Sequence, residues 1–220
     1  MKDMTRINDS KKVITTAIYF GACWGIVEAV LGFIIHSIPM IPGMAGFIMF
    51  PIGFYFMNRA LKTSGTLWGI SGTAVVASGI KLLDLFLPGL PAIYTINPAI
   101  CILIESVAVI GTYYIFVRDT EKERHVGFAY IVSSSAAWRM TFILYSIILG
   151  ILSISTEFIR QGSAHIVQFL LLGTLIDVVL ITMYTRTRYF NSGLSKGIRP
   201  LHASIVLIAA ITIKYFFIIL

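Results

Sequence analysis

Seven apolar runs carry the chain, at residues 13–36, 44–60, 66–88, 98–117, 127–152, 166–184 and 201–220. A helix that spans a bilayer needs about 20 mostly apolar residues. The runs come to that length, apart from the second, which is short and contains Pro51. A kinked or partly interfacial helix is expected there. The connections 37–43, 61–65, 89–97, 118–126, 153–165 and 185–200 leave no room for a soluble domain. The pattern predicts an all-α polytopic membrane protein. Its parts are a polar N-terminal segment 1–12, a six-helix core 13–184, a basic loop 185–200 and a seventh helix over 201–220.

Composition agrees. Charged residues make up 12% of the 220 and apolar residues 57%. A soluble domain carries roughly 25% charged residues, so too little polar surface exists to coat a water-facing fold. The first run is about twice as long as the apolar stretch of a signal peptide and contains Glu28, so it reads as a retained helix. The net charge of +7 concerns orientation and not nucleic acid. With the N-terminus taken as cytoplasmic, inner segments hold 13 Lys and Arg residues and outer segments hold Arg160 alone. Positive charge collects on the cytoplasmic side. A plasma-membrane protein with a cytoplasmic N-terminus and an outer C-terminus is therefore expected, of prokaryotic origin. Lys214 weakens the last span, although it could snorkel outward.

Six ionisable residues fall inside the first six runs: Glu28, Lys81, Asp84, Glu105, Arg139 and Asp177. Each costs about 2.5–3.5 kcal/mol on insertion scales and by default marks function. Counting 1.5 Å per residue from the outer helix ends puts Asp84 about 6 Å down, Lys81 and Glu105 roughly 10 Å and Glu28 about 12 Å. Asp177 and Arg139 fall at about 16 and 20 Å. Lys81 and Asp84 are three residues apart on one helix, where they can pair. Arg139 and Asp177 lie on consecutive antiparallel helices at similar depth and are read as a structural ion pair. Glu28 and Glu105 are left without an obvious cation. Glu28, Lys81, Asp84 and Glu105 are read as lining an outward-open ligand site. The alternative is neutral acids hydrogen-bonded between helices.

Ala17, Gly21, Gly25 and Ala29 follow one another at four-residue steps on the first helix. Such a stripe lets backbones approach closely. It serves packing within the bundle or, through Ala17, Gly21 and Gly25, docking on a partner subunit. The outer loops 37–43 and 89–97 are rich in Pro and Gly and uncharged. They are lids over an outer cavity or simply short turns. Cys23 and Cys101 lie in apolar runs outside any metal-ligand spacing. The four histidines show none either, so no metal and no cofactor is implied. The chain has no GxxxxGK[ST] loop, no HExxH and no GxSxG.

The segment Gly21-Ala-Cys-Trp-Gly25-Ile-Val-Glu28-Ala29-Val-Leu-Gly32, the Pro/Gly loop 37–43, the short second helix and the small residues opening the third resemble the substrate-binding membrane subunits of energy-coupling factor transporters. The resemblance covers residues 13–184. It implies a six-helix core that captures a vitamin, a precursor or a similar small molecule from outside. It further implies docking of Ala17 and Gly21 (or Gly25) on a transmembrane coupling subunit that carries two ATPases. The seventh helix departs from that pattern. The competing reading is a self-contained transporter coupled to protons through Glu28, Glu105 or Asp177. An enzyme acting on lipid is disfavoured by the lack of a catalytic constellation. The partners expected are a small-molecule ligand, membrane lipid and the coupling subunit with its ATPases, without nucleic acid.

Overall fold

The computed structural model describes residues 2–37, 44–117, 127–152, 154, 162–187 and 198–219, with side chains left aside at 2–9, 32–45 and 217–219. Seven α-helices account for almost all of the described residues: α1 Lys2–Ser37, α2 Met44–Ser64, α3 Trp68–Leu82, α4 Ile93–Phe116, α5 Phe128–Ile151, α6 Ser163–Thr185 and α7 Pro200–Ile219. A short 3₁₀ turn, Leu83–Phe86, extends α3. Five segments are long and apolar enough to cross a membrane: Ser10–Leu31, Trp68–Phe86, α4, α5 and α6. The chain is a membrane-embedded helical bundle.

The outward faces are apolar. On α6, Val167, Leu171, Leu175, Val179 and Met183 are exposed at strict four-residue steps, one complete stripe of a helix. A face of that kind is a liability in water and the expected solution in lipid. Trp68, 75% exposed at the start of α3, suits the interfacial belt.

Helix α2 lies at the centre. It continues through Pro51 and buries Phe50, Phe54 and Met57 completely. It packs against α1, α3, α4 and α6. Its aromatic side chains Phe50 and Phe54 are enclosed by protein, while Ile52, Tyr55 and Phe56 line a groove beside α1 and α6. Phe50 stacks on Trp138 with centroids 5.3 Å apart, and Phe54 meets Tyr130 at 5.4 Å. Polar ties join neighbours within the bundle. Ser78 donates to the Ala99 carbonyl at 3.0 Å, Thr112 and Ser134 share a 2.6 Å bond, and the Tyr184 hydroxyl donates to the Pro51 carbonyl at 2.8 Å.

The small-residue stripe of α1 is spent on α3. A methyl group on Gly21 would meet Val76 Cβ at 2.6 Å and the Thr73 carbonyl at 2.7 Å. One on Gly25 would meet Ile80 at 2.9 Å, and one on Gly72 would meet Ala17 at 2.7 Å. Numbers rise together on both helices, so α1 and α3 run parallel. Ala210, Val206 and Leu207 of α7 pack with Ala22, Ile26, Val76 and Ile80, and Lys214 reaches Glu28 and Asp84 one turn further on. Helix α7 therefore runs in the same sense as α1 and α3, as alternating spans require. The charge distribution leads to the expectation that the end of the bundle they point to faces outward.

This packing predicts a contrast between two glycines. Gly21→Ala should cost about 1–3 kcal/mol, because the methyl meets backbone that cannot rotate away. Gly79→Ala, with open space where its methyl would lie, should be neutral or gain up to about 1 kcal/mol. Melting of the detergent-purified protein measures both. Equal melting points would mean that the α1–α3 contact is looser than described.

Candidate functional site

Two buried ion clusters and one solitary carboxyl make up the polar interior. The first cluster sits at the end of the bundle to which α1, α3 and α7 run. Helix α3 tightens into its 3₁₀ turn just before Pro88, which brings Asp84 beside Lys81 on the bundle side. The Lys81 ammonium lies 2.8 Å from Glu28 Oε1 and 2.9 Å from Asp84 Oδ2. Lys214 of α7 closes the group, 2.7 and 2.9 Å from the two Asp84 oxygens and 3.6 Å from Glu28 Oε2. All four side chains are less than a tenth exposed. Two acids and two bases balance.

The sequence reading is corrected on two points here. Glu28 has a cation, because one ammonium serves both acids. Lys214 turns inward, 4% exposed, and does not snorkel. With only Lys81, the two carboxylates would carry a net buried charge, and drawing in a second cation relieves it.

The second cluster joins α5 and α6 deeper in the bundle. Arg139 and Asp177 are both 0% exposed and pair at 2.8 Å, as their depths predicted. Asp177 Oδ2 also accepts from Arg139 Nε at 3.2 Å and from the Ser135 hydroxyl at 2.6 Å, with the Trp138 indole at 3.4 Å. Arg139 donates further to the Phe169 carbonyl at 3.1 Å. Its guanidinium lies over the rings of Phe47, Trp138 and Phe169, 4.6–5.1 Å from their centroids, a geometry that adds attraction. Gly173, one turn before Asp177, makes the arrangement possible. A methyl group there would occupy the space of the guanidinium.

Glu105 stands apart. It is 3% exposed, and its Oε2 has no hydrogen-bond partner. The charges that act on it are those of Asp177 and Arg139, a pair already satisfied by each other. Gly53 of α2 brings Glu105 and Trp24 together. A methyl on Gly53 would lie 2.5 Å from the Trp24 ring and 2.8 Å from Glu105 Oε2. The Trp24 indole N–H is likewise buried without an acceptor. Among the described residues four acids are buried, and Glu105 alone lacks an ion pair. The structure thus groups Glu28, Lys81 and Asp84 with Lys214 and separates Glu105 from them, so the four expected lining residues do not form one site. Trp24 is one turn from Glu28 on α1 and connects the two regions.

The remaining expectations divide as follows. Ala17, Gly21 and Gly25 are buried against α3, so that stripe offers no surface to a docking subunit. Residues 38–43 of the first outer loop lie outside the described residues. Of the second loop, 89–97, only 89–92 are non-helical, since α4 begins at Ile93 and continues through Pro98. A groove of about 410 Å³ between α1, α2 and α6 is lined by apolar and tyrosine side chains, among them Val27, Ile52, Tyr55 and Leu180, and suits a lipid chain. Among the described residues no three His, Cys, Asp or Glu side chains gather to hold a metal ion. Comparison with protein-family models, with curated proteins and with solved structures finds no match.

Proposed function

We propose that this protein takes up a small molecule across the membrane, and that Glu105 is the carboxyl at which the solute or its coupled proton is exchanged. One observation carries the reading: a buried carboxyl without an ion pair and with an unsatisfied oxygen, gathered at Gly53 with the ring of Trp24, whose indole N–H also lacks a partner. Burying an ionised carboxylate alone is prohibitive, so in this packed state Glu105 holds a proton. A cationic solute that also carries an acceptor would satisfy both groups: its acceptor takes the Trp24 indole N–H, and its positive charge replaces the proton that Glu105 releases to water. This favours a self-contained, proton-coupled transporter.

The second reading is a capture subunit that works with a transmembrane coupling subunit and ATPases. Four of the eight buried Asp, Glu, Lys and Arg residues among the described residues gather at one end of the bundle, the end expected to meet an outside solute. This reading needs a docking face other than Ala17, Gly21 and Gly25, because that stripe is covered by α3.

Purification from native membranes in mild detergent, followed by mass spectrometry of whatever is retained, separates the readings. A bound small molecule on a partner-free protein supports the transporter. Stoichiometric membrane and ATPase subunits move the assignment to the capture subunit. A protein that retains no small molecule and drives no proton-linked flux in proteoliposomes overturns both.

A further inference from the structure

We propose that Glu28 and Asp84 form a site for a primary ammonium group, that Lys214 of α7 fills this site as a tethered plug, and that the transported solute carries such a group. The argument starts from charge. Helices α1 and α3 with the 3₁₀ turn supply two carboxylates and one ammonium, Glu28, Asp84 and Lys81, leaving a net of one negative charge in a setting less than a tenth exposed. That deficit of one cation is met from outside the six-helix core. Lys214 is the one charged residue of α7, and it delivers its ammonium to both oxygens of Asp84, at 2.7 and 2.9 Å, and towards Glu28 at 3.6 Å. An ammonium is a compact charge with three donors; Lys214 spends its hydrogen bonds on Asp84, and buried Glu28 Oε2 is left without a hydrogen-bond partner.

The tether is the last helix, which packs mainly along α1. Helix α7 meets α1 and α3 through the small side chain of Ala210 and through Val206 and Leu207. Its large residues Leu201, Ile205, Ile208, Tyr215 and Phe216 face outward. Asp84 lies in the turn that opens onto the exposed residues Pro88–Ala92. A solute ammonium entering from the outer end therefore meets Asp84 first, with Glu28 behind it and Trp24 one turn deeper on the way to Glu105. Exchange of one ammonium for another leaves the cluster neutral throughout, so no uncompensated charge is buried during entry. The physiological use of this site rests on the uptake reading above. Its occupancy by a free ammonium does not, and the two are measured separately.

The test uses n-propylammonium, which replaces the atoms that Lys214→Ala removes, and the full-length protein in nanodiscs. Lys214→Ala should bind propylammonium at least about tenfold more tightly than wild type, because a tethered group present at millimolar effective concentration no longer competes. Wild type should bind it weakly but measurably, and Asp84→Asn should abolish binding in both backgrounds. Tetramethylammonium, which has no N–H donor, should bind neither. If Lys214→Ala folds only when propylammonium is present during purification and not with tetramethylammonium, the site is equally established. Recovery with neither cation overturns the proposal. So does a folded Lys214→Ala without preference for propylammonium. Binding to Lys214→Ala but none to wild type also overturns it, since Lys214 is then a fixed counter-ion. Failure of uptake with this binding intact would instead count against the transport reading alone.

Discussion

Arg139→Met should remove most of the folded protein. The substitution leaves Asp177 fully buried with only the Ser135 hydroxyl and the Trp138 indole on Oδ2 and nothing on Oδ1. Breaking a buried pair by deleting one partner costs about 3–5 kcal/mol. That is a large share of a typical total stability of about 5–15 kcal/mol. Three aromatic faces that met the guanidinium also lose their cation. The double variant Arg139→Met/Asp177→Leu should regain most of the loss, because an apolar pair of similar volume often equals a buried ion pair in stability. Yield and melting temperature in detergent measure both. If the double variant is as poor as the single one, the pair has a role beyond holding α5 to α6.

Glu105→Gln should have the opposite profile. Glutamine keeps the shape of the side chain and its neutrality, so the packing against Trp24 and Gly53 survives and stability should move by less than about 1.5 kcal/mol. Proton exchange is lost entirely. A positioned proton-transfer group commonly contributes two to four orders of magnitude, so proton-linked uptake should fall by about 100-fold or more. Retention of the native small molecule during purification should fall with it. A Glu105→Gln protein that transports like wild type would place the exchanging group elsewhere, with Glu28 or Asp84 next in line.

The seven helices were legible because lipid demands continuous apolar runs, and their ends in the structure lie within a few residues of the runs at most positions. The exceptions have physical causes. Helix α1 extends back to Lys2 through residues too polar for lipid, since a helix need not stop where the bilayer does. Helix α4 begins at Ile93, five residues before the proline that marked its expected start. Depth arithmetic found the Arg139–Asp177 pair, and three-residue spacing found Lys81–Asp84, because both follow from helix geometry alone. Nothing in the sequence says which helices are neighbours out of chain order. For that reason the approach of Lys214 to Glu28 and Asp84 is not legible there, nor is the gathering of Trp24 and Glu105 at Gly53. The stripe on α1 was readable as a close-packing face. Its partner was not, and α3 took the place assigned to a second subunit.

Among the described residues Glu105 is the buried acid without an ion pair, and on the reading above it carries a proton. Dicyclohexylcarbodiimide, an apolar reagent that attacks protonated carboxyl groups in membranes, tests this on the wild-type protein with peptide mapping by mass spectrometry. Glu105 should be modified well before Glu28, Asp84 and Asp177, each of which is held in an ion pair. Equal labelling of all four, or an unlabelled Glu105 beside a modified Glu28 or Asp177, would contradict the account.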